Sequence, residues 1–384
     1  GVVSDKDALS VYDCDGYTLE KTVPKVVVLP GSAAQMSATV KLLHSKGISF
    51  VPRGAGTGLS GGCLPVDAPV MIGTSRLNKI IDIDVVNRYV VAESGVVNLW
   101  VSNAVRDQGF QYAPDPSSQQ ACTIGGNVAE NSGGPHTLKY GVTTNHVLGL
   151  DLVLPDGEVV SLGGNVEDVP GYDLRGITIG AEGTFGIVTQ ATLKLTRQPQ
   201  AYRTFLAVFE SVHDATQTVS GIISSGIVPA ALEMMDKLII QAVEEAFHFG
   251  FPTDAGAVLI IEIDGLASSL DPLTAQIQEV CRQSKAREVR VAADDAERAA
   301  LWKSRKRAFG AIGRLSPNYC TQDGVVPRTK VPEILQRITD VSRKYDLRIA
   351  NVFHAGDGNI HPILMYDERD VDETSRVVKA GEEI

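Results

Sequence analysis

The sequence predicts an α+β protein built in two parts, on three observations. The first 198 residues interleave short β-branched segments with three glycine-rich tracts. Pro199 marks a change, because the residues beyond it alternate apolar strand patterns with amphipathic helix patterns. A length of 384 residues also favours two domains over one. We therefore predict one domain over 1–198 and a second over 199–384.

The predicted elements begin with a β-α-β pattern: a strand at 25–29, a helix at 33–46 and a strand at 48–51. Further strands in the first part are predicted at 70–72, 79–84, 88–93, 147–154, 159–162 and 187–196, with a helix at 97–108. In the second part we predict strands at 204–209, 257–264, 287–292 and 348–353, and helices at 212–225, 235–247, 271–284, 295–313 and 331–345.

The three glycine-rich tracts are the strongest functional signal in the first part; they lie at 54–62, 123–134 and 180–186. The first contains a Gly-x-Gly-x-x-Gly string, which is the fingerprint of a nicotinamide dinucleotide site. That fingerprint requires a helix that starts at the loop, whereas Pro65 and Pro69 follow here. A single tract could be a structural turn. Three tracts together favour a large phosphate-bearing dinucleotide that several loops hold through their backbones.

Charge and cysteine content exclude several classes of protein. A net charge of −11 argues against nucleic acid or an anionic membrane as a partner. No apolar run reaches the roughly 18 residues of a membrane span. The five cysteines form no C-x-x-C pair, which argues against a disulfide framework or an iron–sulfur site and favours a cytoplasmic protein. The chain starts without methionine and stops within a helix pattern, so we expect a fragment of a longer protein.

Candidate catalytic residues lie in the second part. His354 and His361 flank a Gly-Asp-Gly turn, and two histidines on a strand–turn–strand can converge on one metal ion. The alternative is two ordinary histidines, one in a turn and one packed near Pro362. Arg305 offers a guanidinium fork for a carboxylate, although a solvated basic helix face is the alternative. His136 lies near the second glycine tract, where a turn role is the simpler interpretation.

Taken in order, the segments 53–62, 123–134, 182–188, 229–236 and 351–362 resemble the FAD-linked oxidases of the vanillyl-alcohol-oxidase/p-cresol-methylhydroxylase (PCMH) type. Within that type, the chain is most similar to the family of bacterial glycolate oxidase D subunits and of D-lactate and D-2-hydroxyglutarate dehydrogenases. The resemblance implies a two-part, PCMH-type FAD-binding domain over 1–198. It also implies an α+β, ferredoxin-like cap domain over 199–384, with its C-terminal part missing.

The resemblance assigns FAD-binding residues to all three tracts. A pyrophosphate cradle is implied at Arg53, Gly54, Gly56, Thr57, Gly58, Ser60 and Gly61. The flavin and ribityl region is implied at Pro114, Thr123, Gly126, Asn127 and Gly133. Glu182, Gly183 and Ile187 are implied to lie on the adenine side of FAD or at the point where the chain turns back. Some members bind FAD covalently through a histidine after the first tract, and its absence here predicts non-covalent FAD.

The resemblance also assigns the chemistry. Arg305 is implied to bind the substrate carboxylate, and His354 and His361 are implied to be catalytic and to hold zinc or a similar divalent metal. Relatives complete the metal site with a glutamate from a later Gly-Glu-His-Gly run, whose histidine would serve as the base. This chain contains no such run. Thr321 and Ile363 stand where dicarboxylate-oxidising relatives carry a lysine and an asparagine, which favours a small monocarboxylate.

The implied function is FAD-dependent oxidation of a small 2-hydroxy acid, glycolate or D-lactate, to the 2-oxo acid. The electrons would pass to FAD-carrying or iron–sulfur partner subunits, or to a quinone or cytochrome. A cytoplasmic location follows, with peripheral attachment to the inner membrane through partner subunits as a further expectation. The alternative is a non-catalytic FAD-carrying electron-transfer subunit, which would keep the glycine tracts but lack the arginine and the histidine pair.

Overall fold

The computed structural model describes residues 1–167 and 170–384. These residues form two compact units. The first unit comprises Gly1–His136 and Tyr140–Gln198, and the second comprises Thr137–Lys139 and Pro199–Ile384.

The first unit mixes short strands and short helices. Its strands are β1 (Val2–Val3), β2 (Val26–Val28), β3 (Phe50–Arg53), β4 (Val70–Gly73), β5 (Ile80–Asp84), β6 (Tyr89–Glu93), β7 (Phe110–Gln111), β8 (Val147–Val153), β9 (Val159–Gly163), β10 (Ile187–Lys194) and β11 (Thr196–Arg197). Its helices are α1 (Lys6–Leu9), α2 (Ala33–Ser45), α3 (Asn98–Val105), α4 (Ile124–Glu130), α5 (Thr137–Tyr140, shared with the second unit) and α6 (Leu174–Thr178).

The predicted β-α-β pattern is present as β2, α2 and β3. The sheet order is β1-β2-β4-β3, so β4 lies between the two strands of the pattern and is parallel to both. Ser32 caps α2 by accepting a hydrogen bond from the backbone N–H of Gln35 at 3.2 Å. The apolar face of α2 buries Met36, Val40 and Leu43, as its period of about 3.6 residues predicts. β3 therefore delivers the first glycine tract from the edge of a packed sheet.

The second sheet of this unit is antiparallel, in the order β5-β6-β10-β8-β9. Its core includes residues of α3 and α4, such as Val101 and Val128, packed with residues of the sheet such as Ala191. The strand predicted at 187–196 is divided into β10 and β11, and β11 pairs with β7 instead of with this sheet. The other strands predicted in the first unit, and the helix predicted at 97–108, differ from the observed elements only near their ends.

The second unit consists of longer elements. Its strands are β12 (Ala201–Phe209), β13 (Ala231–Asp236), β14 (Ala257–Gly265), β15 (Glu288–Val291), β16 (Asn318–Thr321), β17 (Gly324–Val325), β18 (Ile349–His354) and β19 (Asn359–Tyr366). Its helices are α7 (Val212–Ser224), α8 (Lys237–Phe247), α9 (Ala267–Gln283), α10 (Asp295–Lys306), α11 (Ala308–Ile312), α12 (Val331–Tyr345) and α13 (Val371–Glu383).

These strands form an antiparallel sheet in the order β15-β12-β14-β13-β18-β19-β16, with β17 added against β19. One face packs on α8, α10 and α11 through a core that includes Ile240, Leu301 and Ile312. Helices α7, α9 and α12 also pack against the sheet. Both faces of the central strands are covered, so β13, β14 and β19 are almost continuously buried.

Two predicted elements of the second unit are wrong in extent. The helix predicted from 235 begins at Lys237, because Ala231–Asp236 is strand β13, paired between β14 and β18. Leucine, glutamate and methionine favour helices locally, and strand pairing overrides that preference. The helix predicted at 295–313 is interrupted at Arg307, whose φ and ψ are −95° and 0°. Strands β13, β16 and β17 were not predicted. The strand expected after the Gly-Asp-Gly turn is β19, and the helix pattern at the end of the sequence is α13.

Candidate active site

The three glycine tracts of the first unit lie against one another. A Cβ atom added at Gly54 would lie 2.7 Å from Oγ1 of Thr123 and 3.7 Å from the backbone of Gly126. A Cβ atom added at Gly183 would lie 2.7 Å from Cγ of Pro52. Real Cβ atoms essentially never lie within 3.0 Å of a neighbour. Glycine therefore lets the tracts pack closely against one another, and glycine-rich backbone of this kind suits a phosphate-bearing cofactor.

The second tract is not a loop throughout. Residues 124–130 form helix α4, and Thr123 caps it by accepting a hydrogen bond from the N–H of Gly126 at 3.3 Å. The helix ends at Asn131, which adopts a left-handed conformation with φ of +50°. The two glycines within the helix disfavour it by about 1 kcal/mol each. The cap and the burial of Ile124 and Val128 offset that cost.

The first tract includes a left-handed turn at Gly56, with φ of +71°. A Cβ atom there would lie 2.2 Å from Nη2 of Arg53. Arg53 is buried, and its Nη1 donates a hydrogen bond to Sγ of Cys63 at 3.1 Å. Its guanidinium also lies 5.9 Å from the ring centroid of Tyr12. The structure thus places Arg53 beneath the loop as a support for its backbone.

Other residues assigned to the cofactor have structural side-chain contacts. Asn98 Nδ2 donates to Oδ1 of Asn127 at 2.9 Å and to the carbonyl of Pro114 at 3.1 Å. Ile187 packs in the apolar core beneath α2. The side chains of Asn127 and Ile187 are therefore engaged in contacts within the protein. Thr57, Gly58, Gly61 and Gly133 are half-buried, whereas Ser60 and Glu182 are exposed.

We expect Gly56→Ala to reduce the amount of FAD that copurifies with the protein severalfold. The substitution forces either the loop or Arg53 to move, because alanine adds the Cβ that Arg53 excludes. The measurement is the ratio of flavin absorbance to protein absorbance after purification. Gly109→Ala is the matched control, since Gly109 also has a left-handed φ, of +79°, but nothing within 4 Å of its Cβ position. Equal FAD loss in both variants would contradict a specific role for the loop.

His136 is held by a turn. Its backbone N–H donates to Oδ1 of Asp115 at 3.4 Å, and its Nδ1 lies 2.9 Å from Oδ2 of the same carboxylate. Its ring also lies 6.5 Å from that of Tyr140. These contacts fit the turn role that the sequence favoured for His136.

In the second unit, three buried polar residues share one face of the sheet. Glu233 on β13 pairs with His354 on β18, and Val352 pairs with His361 on β19. Because side chains alternate between faces along a strand, this register places Glu233, His354 and His361 on the same side. Their exposed fractions are 0%, 8% and 6%. The register alone therefore brings a carboxylate and two imidazoles together in the buried interior of the unit.

The two imidazoles are brought together, as the spacing predicted. β18 and β19 are joined by a turn in which Gly358 has φ of +82°. His354 and His361 are diagonal neighbours on this hairpin, and their ring centroids lie 5.1 Å apart with perpendicular planes. Their metal-binding role stays a prediction.

A carboxylate lies beside Nδ1 of each imidazole. Both carboxylate oxygens of Glu233 lie 2.8 and 2.9 Å from Nδ1 of His354. Oδ1 of Asp323 lies 3.2 Å from Nδ1 of His361, although the angle is too poor for a hydrogen bond. A carboxylate beside Nδ1 leaves the other ring nitrogen, Nε2, available for a ligand or a proton. Histidines that bind metal ions are usually oriented by a carboxylate in this way.

Arg305 completes the group and is fully buried, with 0% exposure. Its Nε lies 2.7 Å from Oε2 of Glu233, but the N–H does not point at the oxygen. Its Nη1 and Nη2 atoms have no hydrogen-bond partner among the described residues. Lys303 and Lys306 on the same helix are exposed, so the solvated-face interpretation holds for them and fails for Arg305. Buried, unpartnered guanidinium nitrogens are costly, and an anionic ligand would satisfy them.

The electrostatics favour a neutral His361. Burial lowers the pKa of its imidazole, and the nearby His354 and Arg305 lower it further, against the opposing effect of Asp323. Burial would raise the pKa of Asp323, but His361 and His354 bring it below its ordinary value. A neutral imidazole beside an ionised carboxylate keeps a lone pair for a metal ion or a proton.

Sequence reasoning missed Glu233 and Asp323. Glu233 carries a detectable signal, because it is the one charged residue among Ala231–Met235 and such a position is normally apolar. Asp323 carries no such signal, since it follows β16 in a polar segment and reaches His361 only through the fold. Among the described residues, no three or more His, Cys, Asp or Glu side chains form a group that could hold a metal ion. The histidine pair alone therefore supplies an incomplete ligand set.

Thr321 and Ile363 face each other across β16 and β19. Thr321 is buried, and its Oγ1 has no hydrogen-bond partner within the described residues. Ile363 belongs to the apolar core under α8 and α11. This pair supplies no cation for a second substrate carboxylate.

Two family models match the chain. Residues 24–163 match the FAD binding domain, and residues 198–384 match the C-terminal domain of FAD linked oxidases. In the described residues, no helix combines the length and the apolar character that crossing a membrane requires.

Several curated proteins are similar over most of their length. The chain is 45% identical to glycolate oxidase subunit GlcD of Escherichia coli strain K12, over 97% of this chain and 75% of that protein. It is 39% identical to glycolate oxidase subunit GlcD of Bacillus subtilis strain 168, over 97% and 80%. It is 35% identical to a D-lactate dehydrogenase of Anaerostipes hadrus, over 89% and 73%.

Solved structures share the fold at low identity. A 4-ethylphenol oxidase from Gulosibacter chungangensis superposes with a TM-score of 0.81 at 19% identity, covering 100% of this chain and 83% of that one. A p-cresol methylhydroxylase gives 0.80 at 17% identity, with the same coverage. The predicted two-domain, PCMH-type FAD-binding fold is thus confirmed. The chain belongs to the FAD-linked oxidase family that includes the glycolate oxidase GlcD subunits and D-lactate dehydrogenases.

Proposed function

We propose that this protein oxidises a small 2-hydroxy acid, glycolate or D-lactate, to the corresponding 2-oxo acid with FAD as the oxidant. The observation that carries the proposal is Arg305, a fully buried guanidinium whose Nη groups lack partners in the described part of the chain, beside a buried histidine pair. An α-hydroxy carboxylate matches such a site, since it brings an anion and an exchangeable hydroxyl proton together. The relatives named as glycolate oxidase subunits and D-lactate dehydrogenase support the same substrate class.

The first unit would hold FAD through the three glycine tracts. When bound, FAD accepts the hydride equivalent that leaves C2 of the acid. At Gly54 and Gly183 a Cβ atom would meet Thr123 and Pro52, so glycine at these positions lets the tracts pack closely together. We propose non-covalent binding, because no histidine follows the first tract and the nearest thiol, Cys63, is a poor nucleophile. Burial raises the pKa of that thiol to about 11, so it stays protonated at neutral pH.

The second unit would bind and orient the acid. The Nη groups of Arg305 can take a carboxylate through two parallel charge-assisted hydrogen bonds. The carboxylate of Glu233 lies 2.7 Å from Nε of Arg305 and offsets the positive charge of the buried guanidinium. The apolar core around these residues excludes water and strengthens each electrostatic contact. The hydroxyl proton must also pass to a base.

The residues at positions 321 and 363 limit the size and charge of the proposed substrate. Dicarboxylates need a second cation, whereas the corresponding positions hold the uncharged Thr321 and the core residue Ile363. We therefore propose a monocarboxylate with a small substituent at C2.

We propose that His354 and His361 bind a divalent metal, zinc or a similar ion. The fit rests on two buried imidazoles whose ring centroids lie 5.1 Å apart, each with a carboxylate near Nδ1. A bound divalent ion would lower the pKa of a coordinated hydroxyl group. Any further ligand must come from outside the described residues, because they offer no group of three or more.

The metal assignment predicts about one equivalent of divalent metal per chain by elemental analysis of dialysed protein. His361→Ala should lower that content at least tenfold. His213→Ala, which replaces an exposed histidine of the same unit, should leave it unchanged. Metal content that is equal in all three proteins would contradict the assignment.

The electrons must then leave the reduced protein. Relatives are named as subunits of glycolate oxidase, and we propose that a partner subunit takes the electrons, with a quinone or cytochrome as the alternative acceptor. The free cysteines favour a reducing, cytoplasmic compartment. Any membrane attachment would then be peripheral, through that partner.

Anaerobic mixing with excess acid tests the proposed function. Glycolate or D-lactate should bleach the flavin absorbance, whereas D-2-hydroxyglutarate should bleach it at least tenfold more slowly, because a second carboxylate lacks a cation. If none of the three bleaches bound FAD, the dehydrogenase assignment fails. A non-catalytic FAD-carrying subunit would then be the better description.

A further inference from the structure

Glu233 lies in the middle of β13, between apolar residues, and is fully buried with 0% exposure. Burying an ionised carboxylate is unfavourable unless partners compensate its charge. Leucine or methionine would fill this position as its neighbours on the strand do. The carboxylate therefore needs a role that its contacts explain.

Its contacts include an imidazole and a guanidinium. The carboxylate oxygens lie 2.8 and 2.9 Å from Nδ1 of His354, and Oε2 lies 2.7 Å from Nε of Arg305. The positive charge of Arg305 favours the ionised form of Glu233. An ionised carboxylate only accepts hydrogen bonds. In a neutral His354, the ring proton must therefore be on Nδ1 and the lone pair on Nε2.

A second buried glutamate on the same face shows a different arrangement. Glu262 has 0% exposure and accepts hydrogen bonds from Nε and Nη2 of Arg298 at 2.8 and 2.7 Å, and from Nε1 of Trp302 at 2.7 Å. Arg298 and Arg305 lie seven positions apart on α10, hence on the same helix face. Glu262 binds its arginine through two directed hydrogen bonds, whereas Glu233 leaves the Nη groups of Arg305 open.

We infer that Glu233 is a positioning residue for His354, which fixes the ring proton on Nδ1 and so makes Nε2 the atom offered to a ligand. The same carboxylate compensates Arg305 at Nε and leaves Nη1 and Nη2 for an anion. The identity of the ligand, a metal ion or a 2-hydroxy carboxylate, rests on the proposed function. The tautomer of His354 does not depend on the proposed function, because it follows from the contact with Glu233.

The test is nitrogen NMR of protein labelled with 15N-histidine, treated with chelator, without substrate, at about pH 8, where free histidine is neutral. The His354 signals are assigned by their loss in His354→Gln. In the wild type, Nδ1 should carry the proton. Glu233→Gln removes the negative charge and one of the two accepting oxygens, and its NH2 group can donate to Nδ1, so the Nε2-protonated tautomer should become the major form. Glu262→Gln is the matched control and should leave the His354 tautomer unchanged.

Two results would overturn the inference. One is a wild-type His354 protonated on Nε2, which decides the matter even if Glu233→Gln does not fold. The other is a tautomer change that is absent in folded Glu233→Gln or equally large in Glu262→Gln. Failure of the proposed function is separate, because it would appear as unbleached flavin in the wild type while the tautomer result stood.

Discussion

Replacing Arg305 with lysine should raise the concentration of glycolate or D-lactate needed for half-maximal flavin reduction about 100-fold. Lysine keeps the positive charge beside Glu233, so the buried pair is not left uncompensated. It cannot keep the geometry, because an ammonium group has no planar fork with two parallel N–H bonds. The loss corresponds to about 3 kcal/mol, the scale of one or two hydrogen bonds to a charged group.

The measurement is the flavin reduction rate as a function of acid concentration under anaerobic conditions. Lys306→Met is the control, since it removes an exposed positive charge one position away on the same helix. It should change the half-maximal concentration by no more than about twofold, because exposed charges contribute little. Wild-type behaviour of Arg305→Lys would remove Arg305 from the binding site.

Replacing Arg298 with methionine should destabilise the second unit by about 3–5 kcal/mol. The change leaves the fully buried Glu262 without its bidentate partner, and the hydrogen bonds from Trp302 and Thr204 do not supply a charge. It also removes the guanidinium that lies 4.0 Å from the ring centroid of Tyr202. Methionine fills a similar volume, so the loss reports on charge more than on packing.

Urea unfolding, followed by a probe in the second unit, measures this loss. Arg343→Met is the control, since Arg343 pairs with Asp340 at 3.4 Å on an exposed helix surface, with side chains 73% and 61% exposed. Its effect should stay within about 0.5 kcal/mol. If the two variants lose equal stability, the buried pair contributes no more than a surface pair.

The sequence predicted features that depend on local pattern. The β-α-β unit followed from apolar periodicity at Met36, Val40 and Leu43, and the meeting of His354 with His361 followed from a tight turn between two short strands. The role of Arg305 as a carboxylate-binding residue was implied only by the resemblance, and its burial was not predicted, since Lys303 and Lys306 beside it suggest a basic surface.

Features that depend on pairing partners were not predictable. Ala231–Asp236 has helix-forming residues and becomes a strand only because β14 and β18 hydrogen-bond to it. Glu233 meets His354 through that pairing, so its role could not be read before the register was known. Helix α4 was not predicted because its glycines suggest a loop. The cap at Thr123 favours the helix in spite of those glycines.

The two arginine–glutamate pairs of α10 have a consequence for how this family can diversify. One pair fastens the helix to the sheet, and the other holds Arg305, the proposed substrate-binding residue, about two turns along. If Arg305 has that role, mutations near it can alter which acid is accepted while the Glu262–Arg298 pair still holds the helix in place. New substrate preferences would then be accessible by small steps that each leave a folded protein.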